Sequence, residues 1–290
     1  MDFKKILIIN LGGMGDTILA VPFFRAARRS YPESEITIWC VSRVEELLSG
    51  LPYYDHLRPV NFPGELHINF SPLKFFRFIA FIIGLRKERF DLIINMLPLV
   101  SALSALKMKL IFYLLNPEFS AGRNTEGRGK FYSAAVDEKD THDEYDLNIF
   151  SKLARLCGFE IKDRAFEVPR KNADFEFVNG FLRSRRVNEG ELLIGMNPGS
   201  DWPSRRWEIK NYVRLAAMLL NSFECKIVVT GTVAESELAG EILKVDGERV
   251  ISAAGSTSLG QLAELIRRCN LYITNDSGPM HLSLAVGTPL

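Results

Sequence analysis

A cluster of polar and small residues interrupts an apolar stretch near the end of the chain, in LYITNDSGPMHLSLAVGTP (271–289). The apolar residues before the cluster predict a buried strand, and a helix is predicted from about Pro279, because proline suits a first helical turn. Between them stand turn formers that can also cap a helix, namely Asn275, Asp276, Ser277 and Gly278. His281 falls in the first turn of the helix, where free N–H groups and the positive end of the helix dipole form an anion site. Open α/β sheets bind ligands at such loops, although an ordinary strand-to-helix connection has the same spacing.

A second candidate stands near the N-terminus, in LGGMGDTILAVP (11–22), where Asp16 follows three glycines and precedes an apolar-periodic helix. As a structural residue, Asp16 is an N-cap; as a functional one, it is a carboxylate that can take a proton from a hydroxyl. The glycines resemble a dinucleotide fingerprint only superficially. That motif needs glycine in place of Ile18 and an acidic residue after the second strand, and none stands between Cys40 and Arg43. An NAD site is therefore disfavoured.

Two more strand ends carry polar residues. In MNPGSDWPSRRW (196–207), a glycine turn ending at Ser200 could bring N–H groups close to a phosphate, and Arg205 and Arg206 offer charge-assisted donors. In VVTGTVAESE (228–237), Glu235 can cap its helix or accept hydrogen bonds from ribose hydroxyls, and the cap is the better interpretation of the spacing alone.

These residues need a scaffold that places strand ends side by side. Strand-like apolar runs alternate with helical periodicity, which predicts parallel sheets covered on both faces. In the first half, the predicted strands are 4–9, 36–41, 92–96 and 110–114, and the predicted helices are 17–30, 44–49, 72–84, 99–107 and 145–157. Residues 116–143, with Arg123, Arg128 and Lys130, are predicted to form a surface loop near the site.

The alternation resumes in the second half. Strands are predicted at 192–197, 226–230 and 249–252 before the one at 271, and helices at 173–185, 210–222, 235–245 and 258–268. The expected fold class is α/β, with a Rossmann-like doubly wound domain at 1–165, a linker at 166–190 and a second such domain at 191–290. Another strand should follow Pro289, so the C-terminal end is expected to be truncated.

Length and composition limit the classes of function. A chain of 290 residues is long enough for two domains with separate cores. Lys and Arg number 36 against 35 Asp and Glu, so no basic excess suggests nucleic acid as a partner. The four cysteines are widely spaced and mostly in apolar runs, which predicts buried thiols in a reducing compartment. The N-terminus lacks a signal-peptide core, so a cytoplasmic protein is expected.

One segment suggests a membrane surface, and another suggests a metal. The run LKFFRFIAFIIGL (73–85) is too short to span a bilayer and contains Lys74 and Arg77. With its basic flank it could lie on a membrane as an interfacial helix, although a buried crossover helix is the alternative. The polar run DTHDEYD (140–146), around His142, precedes a helix and has no matching cluster, so no structural metal is predicted.

Taken together, these stretches resemble glycosyltransferase family nine, the heptosyltransferases of bacterial lipopolysaccharide. The resemblance covers nearly the whole chain. It is carried by GGMGDTILAVPFFRAARRSYP, AGRNTEGRG, NPGSDWPSRRW, VTGTVAESE and, most specifically, TNDSGPMHLSLAVGTP. It implies a GT-B architecture, with an acceptor-side N-terminal domain, a C-terminal domain for a nucleotide-sugar such as ADP-heptose, and a central cleft between them.

The resemblance also implies roles for individual residues. Asp16 matches the family's proposed catalytic base, and Arg205 matches a basic residue that contacts the donor phosphate. Ser200 falls where the family has hydroxyl residues at the phosphates, and Glu235 matches a ribose-contacting glutamate. The strand-turn-helix residues that would receive the pyrophosphate and sugar are Asp276, Ser277, Gly278 and His281.

The leading hypothesis is an inverting glycosyltransferase that uses an ADP-sugar donor, a lipid-linked saccharide acceptor and no tightly bound cofactor or metal. It would work in the cytoplasm, with a possible peripheral contact at the inner membrane. The alternatives are a nucleotide-sugar epimerase and a nucleotide-sugar-binding protein of the same fold that has lost turnover.

Overall fold

The computed structural model describes residues 2–61, 72–139 and 144–290, and of residues 72–78 it describes only the backbone of a helix. The chain divides into two compact units. The first comprises Met1–Glu45 and Ser49–Ala165, and the second comprises Glu46–Leu48 and Phe166–Leu290.

The first unit is a parallel sheet with helices on both faces. Its strands are β1 (Lys5–Asn10), β2 (Glu35–Val41), β3 (His56–Val60), β4 (Leu92–Asn95), β5 (Phe119–Thr125) and β6 (Ala134–Glu138). The helices between and after these strands are α1 (Met14–Ser30), α2 (Glu45–Leu48), α3 (Pro72–Arg86), α4 (Ala102–Leu115) and α5 (Asp146–Leu156). The strand order is β3-β2-β1-β4-β5-β6, so the order reverses between β1 and β4.

Burial on both faces explains the apolar sequence of β1. Leu7 and Ile9 point into a cluster with α3 and α4, which contribute Ile82, Leu85 and Phe112 among others. The other face is covered by α1 and α5, which contact each other. Residues of one strand alternate between the two sides of a sheet, so a strand buried on both sides must be apolar throughout.

The second unit repeats the design around a smaller sheet. Its elements are α6 (Asn172–Ser184), β7 (Leu192–Asn197), α7 (Ile209–Ser222), β8 (Cys225–Val229), α8 (Ser236–Leu243), β9 (Val250–Ser252), α9 (Leu259–Arg268), β10 (Leu271–Thr274) and α10 (Gly278–Val286). The strands are parallel in the order β10-β7-β8-β9, so β7 and β10 are neighbours although far apart in sequence. The stretch predicted as a linker contains α6, which packs against α9.

Two predictions for the first unit are wrong. The helix predicted at 99–107 and the strand predicted at 110–114 are replaced by the single helix α4, which begins only at Ala102 and continues through both stretches to Leu115. Residues 119–125 and 134–138, predicted as parts of the surface loop at 116–143, form β5 and β6, and β5 pairs with both β4 and β6. Arg123 is accordingly buried in the sheet and is not presented by a loop.

The four cysteines are free and buried, as predicted. Burial raises the pKa of the Cys40, Cys157 and Cys269 thiols to about 12, which leaves them protonated and unreactive. Among the described residues, no helix combines the length and apolar character that crossing a bilayer requires.

Candidate functional site

The carboxyl ends of β7 and β10 form the candidate site of the second unit. From β7 the chain proceeds to β8 and β9 on one side, and β10 then returns to the other side of β7. Ligands of open α/β sheets bind at the carboxyl ends of the strands where the order reverses in this way. The loop after β7 carries Ser200 and Arg205, and the turn after β10 carries Asp276 and Ser277, so the fold brings these predicted residues to one edge.

Asn275 joins the two loops. Its side-chain nitrogen donates to the carbonyl oxygens of Pro198 at 2.9 Å and Gly199 at 3.1 Å. Its side-chain oxygen accepts from the Trp207 backbone N–H at 3.0 Å and from the Tyr212 hydroxyl at 3.2 Å. All four contacts of the amide are therefore used, and the residue is buried.

The sequence indicated Asn275 as a turn former that can also cap a helix, and this joining role was missed. A positioning amide and an exposed turn amide have the same sequence signature, because each follows directly after a strand. Only the pairing of β10 with β7, which are separated by more than seventy residues, distinguishes them.

The two neighbouring arginines have different tasks. Arg206 donates through Nε at 2.8 Å and Nη2 at 2.6 Å to the backbone carbonyl of Ser200, so it supports the loop. That use occupies two of its N–H donors, so its predicted role as a phosphate donor stays a prediction. Arg205 instead forms an ion pair with Asp276 at 3.0 Å, and the two side chains are 48% and 59% exposed. Because the ion pair is exposed, it is weak. Replacing Asp276 with another anion as the partner of Arg205 therefore costs little free energy.

The N-terminus of α10 lies at the same edge. The helix begins at Gly278, with Ser277 in an extended conformation as N-cap and proline in the first turn. Among the described residues, no side-chain cap bond is made by Ser277, whose hydroxyl lies 3.3 Å from the Asn275 carbonyl oxygen. Pro279 has no N–H and the Met280 N–H donates to the Ser277 carbonyl at 3.0 Å, so the Gly278 N–H is the first-turn donor that this terminus offers to an anion. His281 is the fourth helical residue and is partly buried.

Glu235 connects the loop after β8 with the loop after β7. One carboxylate oxygen, Oε2, accepts from the backbone N–H and the hydroxyl of Thr232 at 2.8 and 3.0 Å, which is the helix cap that the spacing predicts. The other oxygen lies against Gly199, where an added methyl group would be 1.9 Å away. A side chain at position 199 would therefore push the Glu235 carboxylate out of this position, a contact that the sequence did not reveal.

Buried hydroxyl and amide groups form the floor beneath these loops. Asn197 donates to Thr230 Oγ1 at 3.2 Å, and Thr230 and Tyr272 share a hydrogen bond of 2.6 Å. The Tyr212 hydroxyl shares its single hydrogen between Asn275 and the Asn197 carbonyl, which is 3.1 Å away. Burial raises the pKa of Tyr212 to about 12 and that of Tyr272 well above its ordinary value. Both phenols are therefore neutral at physiological pH, and their hydrogen bonds hold the strand ends in place.

Asp16 lies at the carboxyl edge of the first sheet, but its place in α1 differs from the prediction. The helix begins at Met14 and Gly13 is the N-cap, so Asp16 is the third helical residue. Its Oδ2 accepts from the Gly13 backbone N–H at 2.7 Å. Asp16 thus caps the helix by reaching back, as the carboxylate of a capping box does. Predicting the helix start three residues too late produced the error, because the glycines were assigned to the loop.

The surroundings of Asp16 fix its position. A methyl group on Gly12 would lie 2.4 Å from Cβ of Asp16, so only glycine allows this close approach. One on Gly13 would lie 3.5 Å from Nη2 of Arg43, which places an exposed guanidinium beside the same loop. The loop therefore presents a partly exposed carboxylate next to a cation.

A buried amide stands at the end of β1. The side-chain nitrogen of Asn10 has no hydrogen-bond partner among the described residues, and Asn10 is 1% exposed. On the neighbouring strand, Asn95 donates to the Leu97 carbonyl at 2.8 Å and to the Tyr132 hydroxyl at 3.0 Å. Leaving a buried donor unpaired costs about 1–3 kcal/mol. The end of β1, where the sheet order reverses, therefore carries an Asn10 side-chain N–H that can still donate a hydrogen bond.

A depression of about 410 Å³ lies elsewhere on the first unit. It is lined by residues of α1 near its C-terminal end and by residues 158–163, and Arg25 and Asp163 form an ion pair of 2.9 Å within it. It lies toward the opposite end of α1 from Asp16. None of the predicted site residues lines it.

Metal ligands are not grouped in the described part of the chain. Within residues 2–61, 72–139 and 144–290, no three His, Cys, Asp or Glu side chains are placed to share an ion. The polar run around His142 falls largely at residues 140–143, which lie outside the described residues.

Comparison with known proteins places this geometry in a family. Residues 78–290 match the family model described as Glycosyltransferase family 9 (heptosyltransferase). One curated relative, lipopolysaccharide heptosyltransferase 2 of Salmonella typhimurium, is 27% identical over 99% of this chain and 81% of its own length.

Solved structures share the fold over almost the whole chain. The glycosyl transferase family 9 structure from Veillonella parvula superimposes with a TM-score of 0.81 at 23% identity, covering 99% of this chain and 79% of the other. The E. coli heptosyltransferase WaaC, solved with ADP-2-deoxy-2-fluoro heptose, gives 0.70 at 17% identity, covering 98% and 87%. The predicted GT-B class, with two Rossmann-like α/β units, is confirmed by this likeness.

Proposed function

The chain belongs to glycosyltransferase family 9 (heptosyltransferase), and on that basis we propose that it transfers heptose from ADP-heptose to a lipopolysaccharide core acceptor, with inversion at the anomeric carbon. The name of the Salmonella relative supports the acceptor, and the ligand in the WaaC structure supports the donor. The observation that carries the proposal is the exposed Arg205 beside the N-terminus of α10, where the strand order of the second sheet reverses.

In this proposal the second unit binds the donor. The guanidinium of Arg205 exchanges Asp276 for the pyrophosphate, and the Gly278 N–H at the start of α10 binds a second phosphate oxygen. The carboxylate of Asp276 is then available to sugar hydroxyls, and His281 lines the same helix end. Ser200 and Ser277 contribute hydroxyls at the phosphates, and Glu235 keeps its cap through Oε2 while Oε1 accepts from a ribose hydroxyl.

The proposed reaction is a direct displacement. Asp16 takes the proton from an acceptor hydroxyl as the hydroxyl oxygen attacks the anomeric carbon. The bond between that carbon and the phosphate oxygen breaks, and ADP departs with the electron pair. Arg205 and the N-terminal end of α10, with its Gly278 N–H, stabilise the charge that develops on the leaving phosphate. These groups supply the positive charge, so the scheme uses no tightly bound metal.

The acceptor in this scheme is a lipid-linked saccharide at the inner membrane. We place the reaction on the cytoplasmic side, with a peripheral contact between protein and bilayer.

Transfer assays with different donors test the function. We expect heptose transfer from ADP-heptose to a lipopolysaccharide core acceptor, with ADP released in equal amount and an unchanged rate in the presence of a chelator. By calorimetry, ADP should bind more tightly than UDP or GDP. Donor consumption without a new glycosidic bond would favour the epimerase alternative. Binding without turnover would favour the non-catalytic one, and loss of activity with chelator would contradict the metal-free scheme.

Arg205 provides a test of the donor site. We expect Arg205→Ala to weaken ADP binding by about 10- to 100-fold, because a hydrogen bond to a charged group contributes about 1.5–3 kcal/mol. Arg205→Lys should recover part of the loss, since lysine keeps the charge but not the bidentate geometry. Thermal stability should barely change, because exposed ion pairs such as Arg205–Asp276 contribute little.

The matched control is Arg214→Ala, which removes an exposed arginine from α7 in the same unit. It should bind ADP like the wild type. Equal ADP affinity in Arg205→Ala and Arg214→Ala would mean that Arg205 serves only as the partner of Asp276.

A further inference from the structure

The outward face of α4 is apolar. Four residues on this helix, defined here as the α4 stripe, are large and exposed: Leu103, Leu106, Leu110 and Tyr113. Leu106 is 64% and Tyr113 is 78% exposed. At about 100° per residue, the four side chains fall within an arc of about 80° and so form one continuous line along the helix. Contiguous exposed apolar surface of this kind marks an interaction site.

The α4 stripe is separate from the face that holds the helix to the sheet. Ile111, Phe112 and Leu115 are buried in the core cluster of the first unit, and they lie roughly opposite to the stripe around the helix axis. The helix end is also well formed, because Ser101 and Ser104 cap it reciprocally, at 3.1 and 3.0 Å. Packing of α4 on the sheet therefore needs only the inner face of the helix. The fold gives no reason for the outer face to be apolar.

The charged residues around the α4 stripe indicate which kind of surface it contacts. Lys107 and Lys109 lie on either side of it, each about 80° from its centre. Residues 92–117 contain no aspartate or glutamate. Lysine flanks attract anionic surfaces, and long lysine side chains can extend past buried methylene groups to reach them. Tyr113, with an apolar ring and a polar tip, is a residue type enriched at membrane interfaces.

We propose that the α4 stripe docks the protein onto an anionic bilayer surface. The proposal rests on the proposed function in one respect, because a lipid-linked acceptor requires the protein to work at a membrane. It moves the expected contact from the segment at 73–85 to α4. In the described part of α3, Ile82 and Leu85 are buried in the core, and Ile83 is 51% exposed.

Topology connects this surface to the candidate base. The α4 helix starts just after the carboxyl end of β4, and the Asp16 loop follows the carboxyl end of the neighbouring strand β1. A bilayer against α4 would therefore lie near the sheet edge that carries Asp16. The convex, narrow shape of a single helix suits shallow insertion between lipid headgroups, and its lysine flanks favour anionic lipid over a second copy of the same chain.

Vesicle binding tests the proposal. The probes are vesicles of phosphatidylcholine with and without phosphatidylglycerol, and the readout is co-sedimentation at low and high salt. The wild type should prefer the anionic vesicles, and salt should weaken its binding. We expect Leu106→Glu with Leu110→Glu to lower that binding by at least about tenfold, through lost burial and added repulsion. Lys107→Gln with Lys109→Gln should lower it roughly 10- to 30-fold and reduce the salt dependence.

The control is Met218→Glu, which places one of the two added charges on a similarly exposed apolar residue of the second unit. It should bind vesicles like the wild type, apart from a small general charge effect. Melting temperatures verify folding of each variant. The lysine double variant is less disruptive than the leucine double variant. It therefore keeps the test valid if the leucine double variant does not fold. Wild-type binding by folded variants of both pairs would overturn the proposal.

Two further measurements separate the remaining explanations. Sedimentation velocity should show the same oligomeric state for wild type and stripe variants. A wild-type dimer that the leucine variants dissociate would instead make the stripe a contact between copies of the chain.

The transfer rate of the leucine variants should fall with acceptor in vesicles but not with a deacylated, water-soluble acceptor. Absence of transfer in the wild type with both acceptors would contradict the proposed function, while the vesicle-binding result would still decide the docking surface.

Discussion

Replacing Asp16 with asparagine is expected to lower the transfer rate by about 100- to 10,000-fold, the usual contribution of a positioned general base. Asparagine keeps the size of the side chain but cannot accept the proton of the acceptor hydroxyl. The affinity for ADP should change little, because the proposed donor site belongs to the second unit. The measurements are the transfer rate at saturating substrates, the ADP dissociation constant and the melting temperature.

The observed helix start makes this variant well suited to the test. The carboxylate accepts the Gly13 N–H at 2.7 Å, and an asparagine carbonyl oxygen can accept the same hydrogen bond. The stability lost should be only the charge–dipole contribution at the helix N-terminus, about 0.3–1 kcal/mol. A transfer rate equal to that of the wild type would make Asp16 a helix cap and nothing more.

Gly12→Ala is the matched positional variant. It leaves the carboxylate intact but places a methyl group 2.4 Å from Cβ of Asp16, so the side chain must move. If the position of the base matters, this variant should also lose transfer while retaining ADP binding. Full activity of Gly12→Ala together with an inactive Asp16→Asn would mean that the carboxylate tolerates displacement.

Local patterns were sufficient to predict most of the second unit. The strand at 192–197 was predicted with the bounds that the structure has, and the helices α7 and α9 within one residue at their starts. In these segments, apolar periodicity, turn residues and caps all favour the same structure. Ser258, for example, is the N-cap that accepts from the Gln261 N–H.

The failures in the first unit have a physical cause. Residues 110–114 are apolar without interruption, and such a short run does not distinguish a strand from a helix that is apolar on both faces. Residues 119–125 have the opposite problem. Polar and glycine-rich sequence usually indicates a loop, yet here buried ion pairs compensate for polar side chains within β5.

For the candidate site, the sequence identified residue types but not their contacts. Asp276 and Arg205 were both predicted as site residues, whereas their ion pair depends on β10 returning beside β7. The contact between Glu235 and Gly199 likewise joins loops from different strands. Contacts between distant segments follow from sheet order, which a single sequence constrains only weakly.

Arg123 makes contacts between distant segments that matter for stability. Arg123→Met should therefore be among the most destabilising single changes in the first unit. The guanidinium is 2% exposed and pairs with Glu138, itself 3% exposed, at 2.9 Å. It also pairs with Asp146 at 2.6 Å, so it links β5, β6 and α5. Removing one partner of a buried ion pair leaves an uncompensated charge, at a cost of about 3–5 kcal/mol. Urea unfolding followed by circular dichroism would measure the loss.

Two companion variants identify the source of the loss. Arg123→Met with Glu138→Met removes both charges, so it should be less destabilising than Arg123→Met alone, because no carboxylate is then left unpaired between the strands. Lys5→Met removes a cation from the exposed pair Lys5–Glu35, 3.0 Å long and in the same unit, and should cost at most about 1 kcal/mol. A double variant as unstable as the sum of its single changes would show that Arg123 contributes through packing rather than charge. A loss in Arg123→Met no greater than in Lys5→Met would mean that the buried network does not hold β5 and β6 in the sheet.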